Sequence, residues 1–106
     1  MVAVFGIKYL RTMVKINFES LRVFKDIDHK VVEVKDVKKR VADELYSRGQ
    51  GIEFHALALK IYNSKGETEF DDEEYRLIMS YANQMCTPAE IDAFTNCKQK
   101  EDTDNG

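Results

Sequence analysis

The chain has 106 residues, enough for one hydrophobic core and too few for a second of useful size. Apolar residues make up 43%, charged residues 33%, and there is one proline, which excludes a disordered chain and fits a folded globular domain. Sixteen basic residues against nineteen acidic ones give a net charge of −3, without the basic excess that neutralising a phosphate backbone requires, so sequence-independent nucleic-acid binding is disfavoured.

Residues 1–12, MVAVFGIKYLRT, read either as an extra strand over Val2 to Leu10 or as an extension upstream of a second start at Met13; both stay open. They lack the basic start, long apolar centre and small-residue cleavage site of a secretory signal. From Val14 the pattern becomes regular. Val14, Ile16 and Phe18 alternate with polar residues and share one face of a strand. Arg22 to Phe24 and Val31 to Val34 continue in extended-type residues with Asp26-Ile27-Asp28-His29 as the turn, which predicts a β-hairpin or small antiparallel sheet.

A first helix is expected from about Asp36, the cap, with Val37, Val41, Ala42 and Leu45 inward and Gly49 and Gly51 at its end. A second covers Ile52 to Asn63. Its apolar residues surround more than half of the cylinder, which predicts the central, most buried helix. Phe70 to Tyr75 is a helix start with Asp71 as cap and Glu74 closing a capping box, ahead of inward Tyr75, Ile78, Tyr81, Ala82 and Met85. Thr87-Pro88-Ala89-Glu90 repeats the device for a last helix that buries Ile91 and Phe94. Residues 98–106 are polar and aperiodic and read as a disordered tail, so one α+β domain over residues 13–97, a sheet on three or four helices, is the expected fold.

Site chemistry is sparse. Gly66 with acidic neighbours between two helices invites a calcium-loop reading, but setting Gly66 as the sixth loop residue puts Ile61 first and Lys65 fifth, and neither side chain can ligate calcium. The acids from Glu67 to Glu74 are instead explained by helix capping. His29 and His55 have no metal or catalytic partner at a recurring spacing. Cys86 and Cys97 form neither a zinc framework nor a disulfide scaffold, which fits a reducing compartment. No nucleophile elbow, phosphate loop or dinucleotide fingerprint occurs, so no enzyme activity, cofactor or metal is expected.

Two surfaces remain. The wide apolar circumference of the Ile52 to Asn63 helix makes Phe54, Leu57 and Tyr62 candidate anchors for a protein partner or a homodimer. Lys35, Lys38, Lys39 and Arg40 form a local basic run, the alternative nucleic-acid face, although Asp36, Asp43 and Glu44 interleave with it as on a solvated helix. No apolar run approaches the roughly twenty residues a membrane crossing needs.

The strand Lys15-Ile16-Asn17-Phe18, the run Ala58-Leu59-Lys60-Ile61-Tyr62, and Gly66-Glu67 followed by Asp72-Glu73-Glu74 resemble a group of small uncharacterised accessory proteins of tailed bacteriophages and prophages. The likeness covers Met13 to Phe94; the N-terminal extension and the Cys-bearing end depart from it. It implies a phage or mobile-element origin and a cytoplasmic setting in a bacterial host, and it carries over no catalytic residue; the role expected beside it is non-enzymatic protein binding, in virion assembly or host-factor inhibition, with nucleic-acid contact by the Lys35 to Arg40 run as the alternative.

Overall fold

The computed structural model describes the backbone of residues 13–105 and the side chains of residues 13–98; the reading of residues 1–12 lies outside them. Strand β1, Met13–Ile16, buries Val14 and Ile16 and turns Lys15 outward, as the alternation requires. Asn17 ends it. Its Oδ1 accepts from the amides of Glu19 (3.0 Å) and Ser20 (3.1 Å), a local turn that swings Phe18 into the core and launches β2, Leu21–Phe24.

The loop after β2 is organised by Asp26, whose Oδ1 accepts from the amides of Lys30 and Val31, each at 3.0 Å. His29 takes the left-handed conformation there at φ 61°, and its ring stacks on Phe24 with centroids 4.2 Å apart. Strand β3, Val32–Lys35, returns antiparallel to β2, with Arg22 opposite Val34 and Val23 opposite Glu33. The hairpin and its turn therefore sit where the sequence places them.

Helices α1, Lys38–Arg48, and α2, Ile52–Asn63, follow. Val37 occupies the N-cap position of α1; Asp36, one residue earlier, accepts from the Lys38 amide at 3.1 Å and so does the capping from outside the helix. Gly49 is required for space rather than for a left-handed turn: a Cβ there would lie 2.5 Å from the Leu45 carbonyl oxygen and 2.6 Å from Phe54 Cβ. Gly51, at φ 97°, is the residue whose conformation needs glycine.

Helix α2 is not the central helix its composition suggests. It packs chiefly on α1, so only the stripe Leu57, Ala58 and Ile61 is buried, while Ile52, Leu59 and Tyr62 remain exposed.

Strand β4, Thr68–Asp71, had no counterpart in the sequence reading, which gave those residues to a loop and a helix start. It pairs antiparallel with β1, Val14 opposite Phe70 and Ile16 opposite Thr68. The result, among the described residues, is two two-stranded sheets, β1 with β4 and β2 with β3. Helix α3, Asp72–Met85, then starts on the expected capping box, Asp71 accepting from the Glu74 amide at 2.8 Å and Glu74 from the Asp71 amide at 2.9 Å. It buries Tyr75, Leu77, Ile78, Tyr81 and Ala82; Met85 is half-buried.

Helix α4, Pro88–Asn105, starts on the second box, with Thr87 and Glu90 exchanging side-chain to backbone bonds at 3.3 Å. Phe94 is fully buried and Ile91 partly so. The backbone of 98–105 continues this helix where a disordered tail was expected; Lys98 to Glu101 are good helix formers, whereas Asp102 to Asn105 are not.

Three phenylalanines close the core. The ring of Phe18 meets Phe70 edge-on at 5.6 Å and Phe94 at 5.7 Å, joining the β1–β2 turn, β4 and α4 at one point. Burying each ring contributes about 1.5–3 kcal/mol, so the triad helps to hold the β1–β2 turn, β4 and α4 together. The architecture is α+β: among the described residues, small antiparallel sheets pack on four helices.

Candidate interaction surface

The three anchors proposed from the α2 sequence separate in the structure. Leu57, 2% exposed, belongs to the core and is unavailable to a partner. Phe54 is half-buried and lines a cavity of about 300 Å³ with Glu44, Arg48, Tyr81 and Met85. Tyr62 alone faces outward, 54% exposed, and it has neighbours that the sequence did not mark: Leu59, 47% exposed, and Tyr46 of α1, 63% exposed.

These three line a shallow groove of about 110 Å³ whose floor is Ala42 and Ala58 and whose rim carries Asp43. The small floor residues let α1 and α2 approach closely and leave the large side chains standing on either side. The exposed His55 ring lies 5.5 Å from that of Tyr46 and extends the surface toward the α2 N-terminus. Two tyrosines and a leucine beside a groove are the kind of side chain that anchors protein interfaces, supplying large contact area at low entropic cost and a hydroxyl for a rim hydrogen bond. The signal was present in the sequence, since Tyr46 and Leu59 fall just off the Val41-Ala42-Leu45 and Leu57-Ala58-Ile61 stripes.

The basic run is engaged internally. Lys39 pairs with Asp43 at 2.7 Å, and Lys38 with Glu19 at 2.9 Å and the Ser64 carbonyl at 3.1 Å. Lys35 and Arg40 converge on one oxygen of Glu90, at 3.1 Å and 2.9 Å. Glu90 itself is 2% exposed, and its other oxygen accepts from the Thr87 amide. Burial alone would push its carboxyl up, but the bonds from Arg40, Lys35 and the Thr87 amide outweigh it and hold the group below the usual carboxylate range. This carboxylate ties β3, α1 and α4 together. All four cations of the alternative nucleic-acid face thus have a carboxylate partner, and no continuous stripe of unpaired charge results.

The Gly66 connection is likewise structural. Glu19 reaches it from the β1–β2 turn and accepts from the Gly66 amide at 2.8 Å; that bond, reinforced by Lys38, lowers the Glu19 carboxyl. Lys60 of α2 donates to the Glu69 carbonyl and to Glu74, each at 2.9 Å, and lies over the Phe70 ring at 4.6 Å. Ile61, the would-be first calcium ligand, is fully buried. Among the described residues no group of three His, Cys, Asp or Glu side chains is placed to hold a metal ion.

The remaining reactive groups have structural surroundings. Cys86 and Cys97 are both half-buried. Burial pushes the Cys86 thiol up, only partly offset by its hydrogen bond with Tyr81, so it is not an activated nucleophile. Burial and a hydrogen bond to Glu44 raise Tyr81. His29 and Cys97 line a cavity of about 430 Å³ between the hairpin and α4, together with Lys15, Arg22, Phe24 and Asn96, and the His29 ring is stacked on Phe24. Among the described residues no helix is long and apolar enough to cross a membrane.

No protein-family model, curated protein or solved structure matches the chain.

Proposed function

We propose that this protein is a non-enzymatic phage or mobile-element accessory protein that works by binding another protein in the cytoplasm of a bacterial host, through the outer face of α1 and α2. One observation carries the reading: Tyr46, Leu59 and Tyr62 stand exposed around a single groove, whereas Val41, Leu45, Leu57 and Ile61 of the same two helices are buried and Ile52, also exposed, lies outside that groove. Removing those side chains from water is favourable only on a partner surface. The resemblance to phage accessory proteins supports a virion-assembly component or an inhibited host factor as that partner.

The second reading, a small regulatory protein contacting nucleic acid through Lys35, Lys38, Lys39 and Arg40, would draw on cations that already have carboxylate partners: Lys35 and Arg40 hold the buried Glu90, whereas the Lys39–Asp43 pair is exposed and costs little to break. The test is affinity capture from cells carrying the native locus, with the wild type beside Tyr46→Ser and Tyr62→Ser. The expected result is one protein retained by the wild type and depleted by both substitutions. Equal capture by all three would sink the assignment of this face.

A further inference from the structure

We infer that β3 is a self-association edge: two copies join their β3 strands antiparallel about a two-fold axis at Val34, making one four-stranded sheet in the order β2, β3, partner β3, partner β2. This rests on the hairpin, not on the α1–α2 face.

The first observation is the open edge. Among the described residues β3 pairs only with β2, and Val32, Glu33 and Val34 are all exposed, as are Val31 and Ile27 in the adjoining loop. A row of β-branched apolar residues on a free strand edge is the arrangement that pairs with another strand.

The phase of the ladder is the second. Lys25 donates to the Val31 carbonyl at 2.8 Å, which marks that pair as hydrogen-bonded. With the two-residue alternation of an antiparallel ladder, Glu33 opposite Val23 and Lys35 opposite Leu21 are bonded pairs too. The amides and carbonyls of Val32 and Val34 therefore point away from β2, toward the open edge.

Charge selects the register. With Val34 facing its symmetry mate, the two copies exchange a pair of backbone bonds at the axis, and Glu33 of each copy lies opposite Lys35 of the other. The register one step away sets Glu33 against Glu33, a like-charge pair that destabilises a sheet. Centring on Val32 places Glu33 opposite Val31 and gains no ion pair. Lys35 already bonds Glu90 at 3.1 Å, but an ammonium has three donors and can serve a second carboxylate. A seam this short is a small interface of the readily dissociating class.

The experiment is sedimentation of the full chain from micromolar to millimolar concentration, joined to amide hydrogen exchange. The expected result is a monomer–dimer equilibrium in which the Val34 amide exchanges freely in dilute protein and becomes protected in concentrated protein, while the Glu33 amide is protected in both. Val34→Pro removes the axial N–H without touching a hairpin bond, and Glu33→Lys sets like charges across the seam; each should weaken the dimer about tenfold and keep the wild-type melting temperature. If Val34→Pro unfolds, Glu33→Lys and the exchange pattern still decide. A monomer at every concentration overturns the inference. So does a dimer in which the Val34 amide stays unprotected, and that outcome would leave the α1–α2 face intact as a binding surface.

Discussion

Replacing Glu90 with glutamine tests the buried carboxylate that joins three elements. The amide keeps the shape and can still accept from Thr87, but it loses the charge that Lys35 and Arg40 both address. A hydrogen bond to a charged group contributes about 1.5–3 kcal/mol, and two are weakened here. The two cations are 33% and 43% exposed, so they regain part of their hydration when the charge is removed, and the full cost of about 3–5 kcal/mol for breaking a buried pair does not apply. A loss of about 2 kcal/mol follows, which at a urea slope of roughly 1–2 kcal/mol per molar lowers the denaturation midpoint by about 1–2 M.

The effect has a pH signature. Folding lowers the Glu90 pKa, so its contribution is complete above the unfolded carboxylate value of about 4.3 and is lost as pH falls through the lower folded value. The wild type and Glu90→Gln should therefore differ at pH 7 and converge in strong acid. A midpoint for Glu90→Gln equal to the wild type at pH 7, or a gap that does not close in acid, would refute the reasoning.

Leu57→Ala should cost about 2–4 kcal/mol, because it empties a core site, whereas Tyr62→Ser should stay within about 0.5 kcal/mol of wild type; urea unfolding of the pair would expose an error if the order were reversed. Thr87→Ala removes one half of the α4 capping box and should cost about 1 kcal/mol by the same assay, with an unchanged midpoint showing that Thr87 is not a cap.

What the sequence revealed was local. The capping boxes at Asp71 and Thr87 are written within four consecutive residues each, and the β2–β3 hairpin is bounded by a turn that one Asp side chain organises. Strand β4 was missed because it has a single buried residue, Phe70, and its partner β1 lies more than fifty positions away, so neither alternation nor a turn announces the pairing.

The position of α2 was misjudged for a related reason. Composition shows how much apolar surface a helix carries, not how many neighbours reach it, and α2 is covered chiefly by α1. The basic run looked like a solvated face because only its local acids are visible in sequence. Glu90, the partner of both Lys35 and Arg40, stands fifty or more positions downstream. Of the candidate surface, Tyr62 was singled out from the sequence, while Tyr46 and Leu59 lie just off the buried stripes and join it only through the packing of α1 on α2.

In the proposed function the α1–α2 face, not the Lys35 to Arg40 run, meets the partner. That assignment is tested most directly by immobilising the wild type, Tyr62→Ser and Lys39→Ala, exposing each to lysate from cells carrying the native locus and to duplex DNA at moderate salt, and measuring what is retained. The wild type and Lys39→Ala should hold the same protein, Tyr62→Ser should lose it, and none of the three should hold DNA. Retention of duplex DNA by the wild type, weakened by Lys39→Ala and untouched by Tyr62→Ser, would contradict the assignment.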